Sequence, residues 1–239
     1  DRLLDPVWVP SGSMATARSH HTATVLPSGR LLITGGSKNS GVTILKQAEL
    51  YDPISGTCSP TASMAFPRDL FTTTLLSNGA ALAVGGQFTA GQTGEIYDES
   101  SETWTPVAPL NVTHGDHVAA TLLDGSVLVA GGYLGAEIYD LSANSWTTMA
   151  APTFAKVSAA SIRLPGGQVL VAGGSPNGEL AEVYDPALDT WTTVPSMTVK
   201  RKHPVALTLP GGNAIYVGGL DAGGIAAVET YDATLDMWT

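Results

Sequence analysis

One cysteine, Cys58, is all the chain offers in 239 residues, which excludes an internal disulfide framework. Charge is scarce too. Asp, Glu, Lys and Arg make up 13% of the residues, and 11 cations against 21 anions leave a formal net charge of −10. That balance argues against nucleic acid, or an anionic membrane surface, as the main partner. No run of about 18 apolar residues occurs, so membrane insertion through a helix is not expected. No secretory leader is visible, and the first residue is Asp1 rather than Met, as expected of a processed or trimmed product. Glycine and proline, by contrast, are plentiful at 27 and 15, a composition that favours many short strands joined by tight turns. The length suits one large all-β domain with a substantial core.

Internal periodicity organises the chain. Gly-Gly pairs begin at Gly35, Gly85, Gly131, Gly173 and Gly218, each after an aliphatic run such as LLIT or VLVA. Tyr-Asp pairs follow at Tyr51, Tyr97, Tyr139, Tyr184 and Tyr231. Seven residues beyond each Tyr stand Cys58, Trp104, Trp146, Trp191 and Trp238, and Trp8 belongs to the same column. A Gly doublet lets neighbouring groups approach the backbone closely. Large rings suit a wedge that widens outward, and Asp after Tyr suits a turn. Cys58, standing where the other copies have Trp, reads as a small buried hydrophobe.

The series Gly-Gly, Tyr-Asp, Trp, at a period of 42 to 50 residues, resembles the kelch repeat. The stretches MATARSHHTATVLPSGRLLITGG and AEVYDPALDTWTTVPSM look like bacterial members of that family, for which a secreted or cell-surface setting is compatible. The resemblance covers essentially the whole chain. It implies an all-β fold, a β-propeller of five blades with four antiparallel strands each, the first strand innermost. The expected blades are residues 15–62, 65–108, 111–150, 153–195 and 198–239 of a single domain spanning 1–239, with 1–14 as an extra outer strand. The two chain ends align with each other, so residues 5 to 11 are expected either to complete the last blade and displace the C-terminal residues or to belong to a longer array. Kelch rings more often have six or seven blades.

Only the loop between the second and third strands of each repeat varies, from 7 to 15 residues between the second Gly and Tyr. One propeller face is therefore regular, and the other carries the variable loops on which function usually resides. Two columns add charge to that face. Seventeen residues before each Gly-Gly stand Arg18, Arg68, His114, Lys156 and Arg201; two before each Tyr stand Glu49, Glu95, Glu137, Glu182 and Glu229. These columns read either as a ring of structural ion pairs or as cations open to an anionic ligand over the channel. All five histidines fall 14 to 17 residues before a Gly-Gly pair, at the beginning of inner strands. His21 and His117 share one column and read as architectural. His20, His114 and His203, with Asp69, Asp116 and Lys202, are not demanded by the repeat and read as one polar cluster.

Two functions remain open. One is a non-enzymatic recognition module that binds a protein, peptide, glycan or small anionic ligand through Arg18, Arg68, His114, Lys156, Arg201, Lys202 and His203. The other is a small-molecule isomerase or lyase, sugar-active by expectation, using His20, His114, Asp116 and His203 for acid–base work. No metal or other cofactor is expected: His114-Gly115-Asp116-His117 is not a recognised metal spacing. Some kelch propellers are copper radical oxidases, whose sites resemble a Cys–Tyr crosslink, a second Tyr and two His at the channel. Here Cys58 falls on an outermost strand and only Tyr133 and Tyr216 lie outside the Tyr-Asp column, so that site does not carry over.

Overall fold

Residues 10–87, 90–132 and 135–239 are described in a computed structural model. They form five four-stranded antiparallel sheets arranged as a β-propeller, with no α-helix among the described residues. The first blade comprises β1 (Thr22–Val25), β2 (Leu31–Thr34), β5 (Ala48–Asp52) and β6 (Thr57–Thr61), and its long second loop carries a small hairpin, β3 (Ser37–Lys38) with β4 (Thr43–Ile44). The second blade comprises β7 (Thr72–Leu75), β8 (Ala81–Val84), β9 (Gly94–Asp98) and β10 (Thr103–Pro106). The third comprises β11 (Val118–Thr121), β12 (Val127–Gly131), β13 (Gly135–Asp140) and β14 (Ser145–Thr148). The fourth comprises β15 (Ala160–Arg163), β16 (Val169–Ala172), β17 (Ala181–Asp185) and β18 (Thr190–Val194). The fifth comprises β19 (Val205–Thr208), β20 (Ala214–Val217), β21 (Val228–Asp232) and β22 (Met237–Trp238).

Local chemistry sets the turns. In the first hairpin Gly29, at φ 87°, donates its N–H to Leu26 O at 2.9 Å, and the same turn recurs at Gly79, Gly125, Gly167 and Gly212. A side chain at that φ would be strained, so Gly is the residue that fits. In the outer hairpins the Asp of each Tyr-Asp pair accepts an N–H two residues on, as Asp140 Oδ1 does from Ser142 at 2.7 Å.

Packing follows one rule. The Ala/Leu/Val face of each blade receives the Tyr/Trp face of the next. Leu128, Ala130 and Ala136 pack with Val169, Val171 and Tyr184; Leu170, Ala172 and Ala181 pack with Ala214, Tyr216 and Tyr231. Tyr and Trp stack in tilted pairs, with centroids 4.9 Å apart for Tyr139–Trp146 and 5.0 Å for Tyr184–Trp191. Each of the four described Trp residues also donates its indole N–H to the linker leaving the preceding blade: Trp104 to Ala62 O, Trp146 to Ala108 O, Trp191 to Ala150 O and Trp238 to Pro195 O. Cys58, expected to be buried, is half-buried instead, because no preceding blade packs over its face among the described residues.

The inner strands β1, β7, β11, β15 and β19 pack on one another in succession, but β19 does not close onto β1 in the same way. Residues 1–9, most of the expected extra outer strand, lie outside the described residues. Of the remainder, Gly12 donates its N–H to Gly56 O at 2.8 Å and Ser11 Oγ meets the Tyr51 hydroxyl at 2.6 Å, both in the first blade. The outermost place of the fifth blade, expected for residues 5 to 11, is held by Met237–Trp238 paired to β21.

Candidate functional site

The two charged columns meet within each blade. Arg18 reaches Glu49 at 2.7 Å, Arg68 reaches Glu95 at 2.9 Å and Arg201 reaches Glu229 at 2.5 Å. Lys156 and His114 are shorter and stand 3.9 Å from Glu182 and 3.6 Å from Glu137. The arginines do more than pair with carboxylates. Arg68 Nη1 donates to the carbonyls of Gly85 and Thr93 at 2.8 and 2.9 Å, and Arg201 Nη1 to those of Gly218 and Ala227. Each guanidinium therefore ties the end of the second strand to the start of the third. The glutamates tie in the incoming linker: Glu95 accepts the Ala65 N–H, Glu182 that of Thr153 and Glu229 that of Thr198.

This geometry corrects the picture of open cations at the channel mouth. The side chains of Arg18, Arg68, His114, Lys156 and Arg201 are buried; the arginines and Lys156 donate to groups of their own blade, while both His114 ring nitrogens lack a hydrogen-bond partner. Burial pulls the Arg68 guanidinium below its ordinary value, against the opposing pull of Glu95. Burial likewise lowers Lys156 to about 8, with Glu182 opposing. His114 is lowered by burial although Glu137 acts the other way, and it packs edge-on against His117 with centroids 5.6 Å apart. His117 is lowered to about 3 by burial, then by His114 and Arg68. Both rings are neutral near pH 7. His117 also covers Gly85, much as Phe71 covers Gly35 one blade earlier, while His21 in the same column is exposed.

Above this buried tier runs a second ring that the column reading did not single out. Two residues beyond each basic position stand His20, Leu70, Asp116, Ser158 and His203, and all five adopt the left-handed conformation, with φ between 50° and 61°. Four of the backbones link in series: Asp116 N–H donates to Leu70 O at 2.7 Å, Ser158 N–H to Asp116 O at 3.2 Å and His203 N–H to Ser158 O at 2.7 Å. Ser158 Oγ donates to Asp116 Oδ2 at 2.5 Å. The signal for this ring was present in the sequence, since His, Asp and Ser recur fifteen residues before Gly-Gly and Asp and His tolerate φ > 0 better than most residues.

The rim separates the candidates. His20, Lys202 and His203 are exposed, and Asp116 is half-buried. Asp69 lies beneath, buried, with Oδ1 lacking a hydrogen-bond partner; burial raises its carboxyl pKa and nearby His20 counters. His114 is withdrawn from the cluster; His20, Lys202 and His203 stand exposed at the rim, Asp116 half-buried beside them in the second ring, and Asp69 beneath. Among the described residues no three His, Cys, Asp or Glu side chains converge as a metal ion requires. Cavities of about 410 to 450 Å³ lie on the opposite face, where first-hairpin and outer-hairpin turns of neighbouring blades meet, lined for example by Ser28, Arg30, Asp98 and Glu99.

No protein-family model matches the sequence, and no curated protein matches it. Among solved structures, a novel fungal alcohol oxidase of the AA5 family, in complex with copper, is similar over 92% of this chain and 52% of that one, with a TM-score of 0.74 and 21% sequence identity. The chain thus spans about half the length of that protein, and the likeness is one of fold, a β-propeller.

Proposed function

We propose that this propeller is a recognition module that binds a protein, peptide, glycan or small anionic ligand at the rim formed by His20, Asp116, Lys202 and His203. One observation carries the reading: the Arg and Lys side chains of the column are committed to carbonyls and glutamates inside the blades, whereas His20, Lys202 and His203 stand exposed, His20 and His203 on left-handed backbone and His203 strapped to Ser158 O. Residues held in sparsely populated backbone conformations cluster at ligand sites. In a chain of net charge −10, exposed cations at the rim favour an anionic group, such as the carboxylate of an acidic sugar or peptide.

The alternative is an enzyme, a sugar-active isomerase or lyase, with Asp116, His20 and His203 as acid–base groups. The short Ser158–Asp116 bond favours it by fixing the Asp116 carboxylate. His114 leaves that constellation because it is buried beneath the rim. Copper chemistry belongs to the similar fungal protein. Here Cys58 lies on the outermost strand β6, and the Tyr216 hydroxyl donates to Ala160 O between the fourth and fifth blades; Tyr133 lies outside the described residues. The described donors do not fit a centre built on a Cys–Tyr pair and two channel histidines.

The test is calorimetric titration with inorganic phosphate, glucuronate and acidic peptides at pH 6 and pH 8. Binding is expected, and it is expected to be lost in Lys202→Ala/His203→Ala with the circular dichroism unchanged. Contacts mapped to the first-hairpin turns of the opposite face would overturn the assignment. Conversion of a sugar acid that stops in Asp116→Asn would favour the enzyme.

A further inference from the structure

The backbone strap around the mouth is interrupted where the first blade meets the second. Asp116, Ser158 and His203 each donate the N–H of the left-handed position to the carbonyl of its counterpart one blade earlier. Leu70 holds the same conformation, at φ 50°, yet its N–H does not pair with the His20 carbonyl and finds no backbone acceptor among the described residues. A backbone donor is therefore left at this junction, beside the exposed His20.

Asp69 places an unmatched acceptor next to it in the chain. The residue is 6% exposed and its Oδ1 has no hydrogen-bond partner. His20 lies near, opposing the rise that burial imposes on the carboxyl. The fold does not ask for a carboxylate here. The same position, sixteen residues before Gly-Gly, holds Ser19, Gly115, Val157 and Lys202 in the other blades. Its structural duty is done by the main chain: Ser19 O accepts the Ser37 N–H, Asp69 O that of Gln87, Val157 O that of Ser175 and Lys202 O that of Leu220. The Asp69 carboxylate takes no part in that pairing, and a buried acceptor without a partner is destabilising. Departures of this kind from local consistency are expected at functional sites.

We infer that Asp69 is the specificity-determining residue of the rim: its carboxylate accepts, and the Leu70 N–H donates to, one hydroxyl of a bound hydroxylated carboxylate. A hydroxyl can accept from an N–H and donate to a carboxylate at once. The inference rests on the rim as the ligand site and narrows its occupant to an anion that carries hydroxyl groups as well as its charge. An ionised carboxylate without hydroxyls offers acceptors alone. It leaves the Asp69 oxygen unmatched and sets a second negative group in the same mouth, so the site selects against it.

Calorimetric titration with glucuronate and with cyclohexanecarboxylate tests the proposal. The two probes share a six-membered ring and a carboxylate, and only glucuronate carries hydroxyls. Glucuronate is expected to bind at least about tenfold more tightly. Asp69→Val and Asp69→Gly introduce residues that the fourth and third blades already carry in this column, at Val157 and Gly115. Both variants are expected to fold with no loss of melting temperature, to bind cyclohexanecarboxylate no more weakly than before and to lose the preference for glucuronate. Lys202→Ala/His203→Ala is expected to weaken both probes. Equal binding of the two probes, or a preference that survives in Asp69→Val and Asp69→Gly, would overturn this inference and leave the rim reading standing. So would a fall in melting temperature with an equal loss of both probes, which marks Asp69 as structural. Failure of both probes to bind the unaltered protein would overturn the rim reading and this inference with it.

Discussion

Arg68 and Glu95 meet at 2.9 Å with neither side chain open to solvent, and between them they hold two carbonyls of their own blade and the linker from the blade before. Removing either partner leaves the other charge buried without compensation, at a cost of about 3–5 kcal/mol. Arg68→Ala and Glu95→Ala are each expected to destabilise by that order. The double substitution is expected to cost clearly less than their sum. Urea unfolding of the four proteins measures the coupling, and strict additivity would show that the two side chains act independently.

The buried His117 makes stability depend on pH. Its folded pKa, about 3, lies far below the ordinary 6.5 of the unfolded chain, so the unfolded state takes up the proton first. The stabilising contribution is complete above about pH 6.5 and is lost as pH falls toward 3, with a slope of about 1.4 kcal/mol per pH unit. His117→Phe places at this position the residue that the second blade already carries there, Phe71 over Gly35. The substitution is expected to flatten the stability profile between pH 6 and pH 4. A profile of unchanged steepness would assign the dependence to other groups.

Trp146 offers a cleaner measure of what joins the blades. Its indole N–H donates to Ala108 O at 2.9 Å while its ring stacks on Tyr139. Trp146→Phe keeps an aromatic ring and removes the donor. A loss of about 1–3 kcal/mol is expected, combining the hydrogen bond, the partly shielded carbonyl left without it and the smaller ring. An unchanged melting temperature would show that linker and outer strand are not coupled through this bond.

The blades were legible because five copies of one pattern constrain each other: Gly-Gly, Tyr-Asp and Trp recur in the same order, with Tyr always seven residues before the Trp column, and each has a physical role that the structure displays. The Arg and Glu columns were equally visible, but their meaning was not. Arg68 finds its carbonyl acceptors at Gly85 and Thr93, and whether a cation at a strand start turns inward to such groups depends on the path of the intervening loop. His114 shows the same dependence, because a shorter side chain stands where that loop is shortest, 7 residues. The rim was read only in part, as His20, Asp116 and His203 without Leu70 and Ser158, for a different reason. Its unity lies in a shared φ rather than a shared residue type, and Leu70 among His, Asp and Ser conceals it.

That Leu70 is also the most exacting test of the rim. His20, Asp116, Ser158 and His203 occupy the same left-handed conformation, and Asp and His visit it more readily than aliphatic residues do. A Leu side chain there crowds the following carbonyl, at a cost of about 1 kcal/mol. Glycine removes the Cβ and with it the clash, while its greater freedom in the unfolded chain offsets part of the gain. The Leu70 carbonyl still accepts the Asp116 N–H, so the strap around the mouth is retained. Leu70→Gly is therefore expected to leave the fold intact and to raise stability by a few tenths of a kcal/mol up to about 1 kcal/mol, read by urea unfolding. Affinity at His203 and Lys202 should be unchanged, since those side chains stand on the fifth blade and Leu70 on the second. A loss of more than about 1 kcal/mol would mean that the Leu70 side chain is held by packing that outweighs its backbone cost.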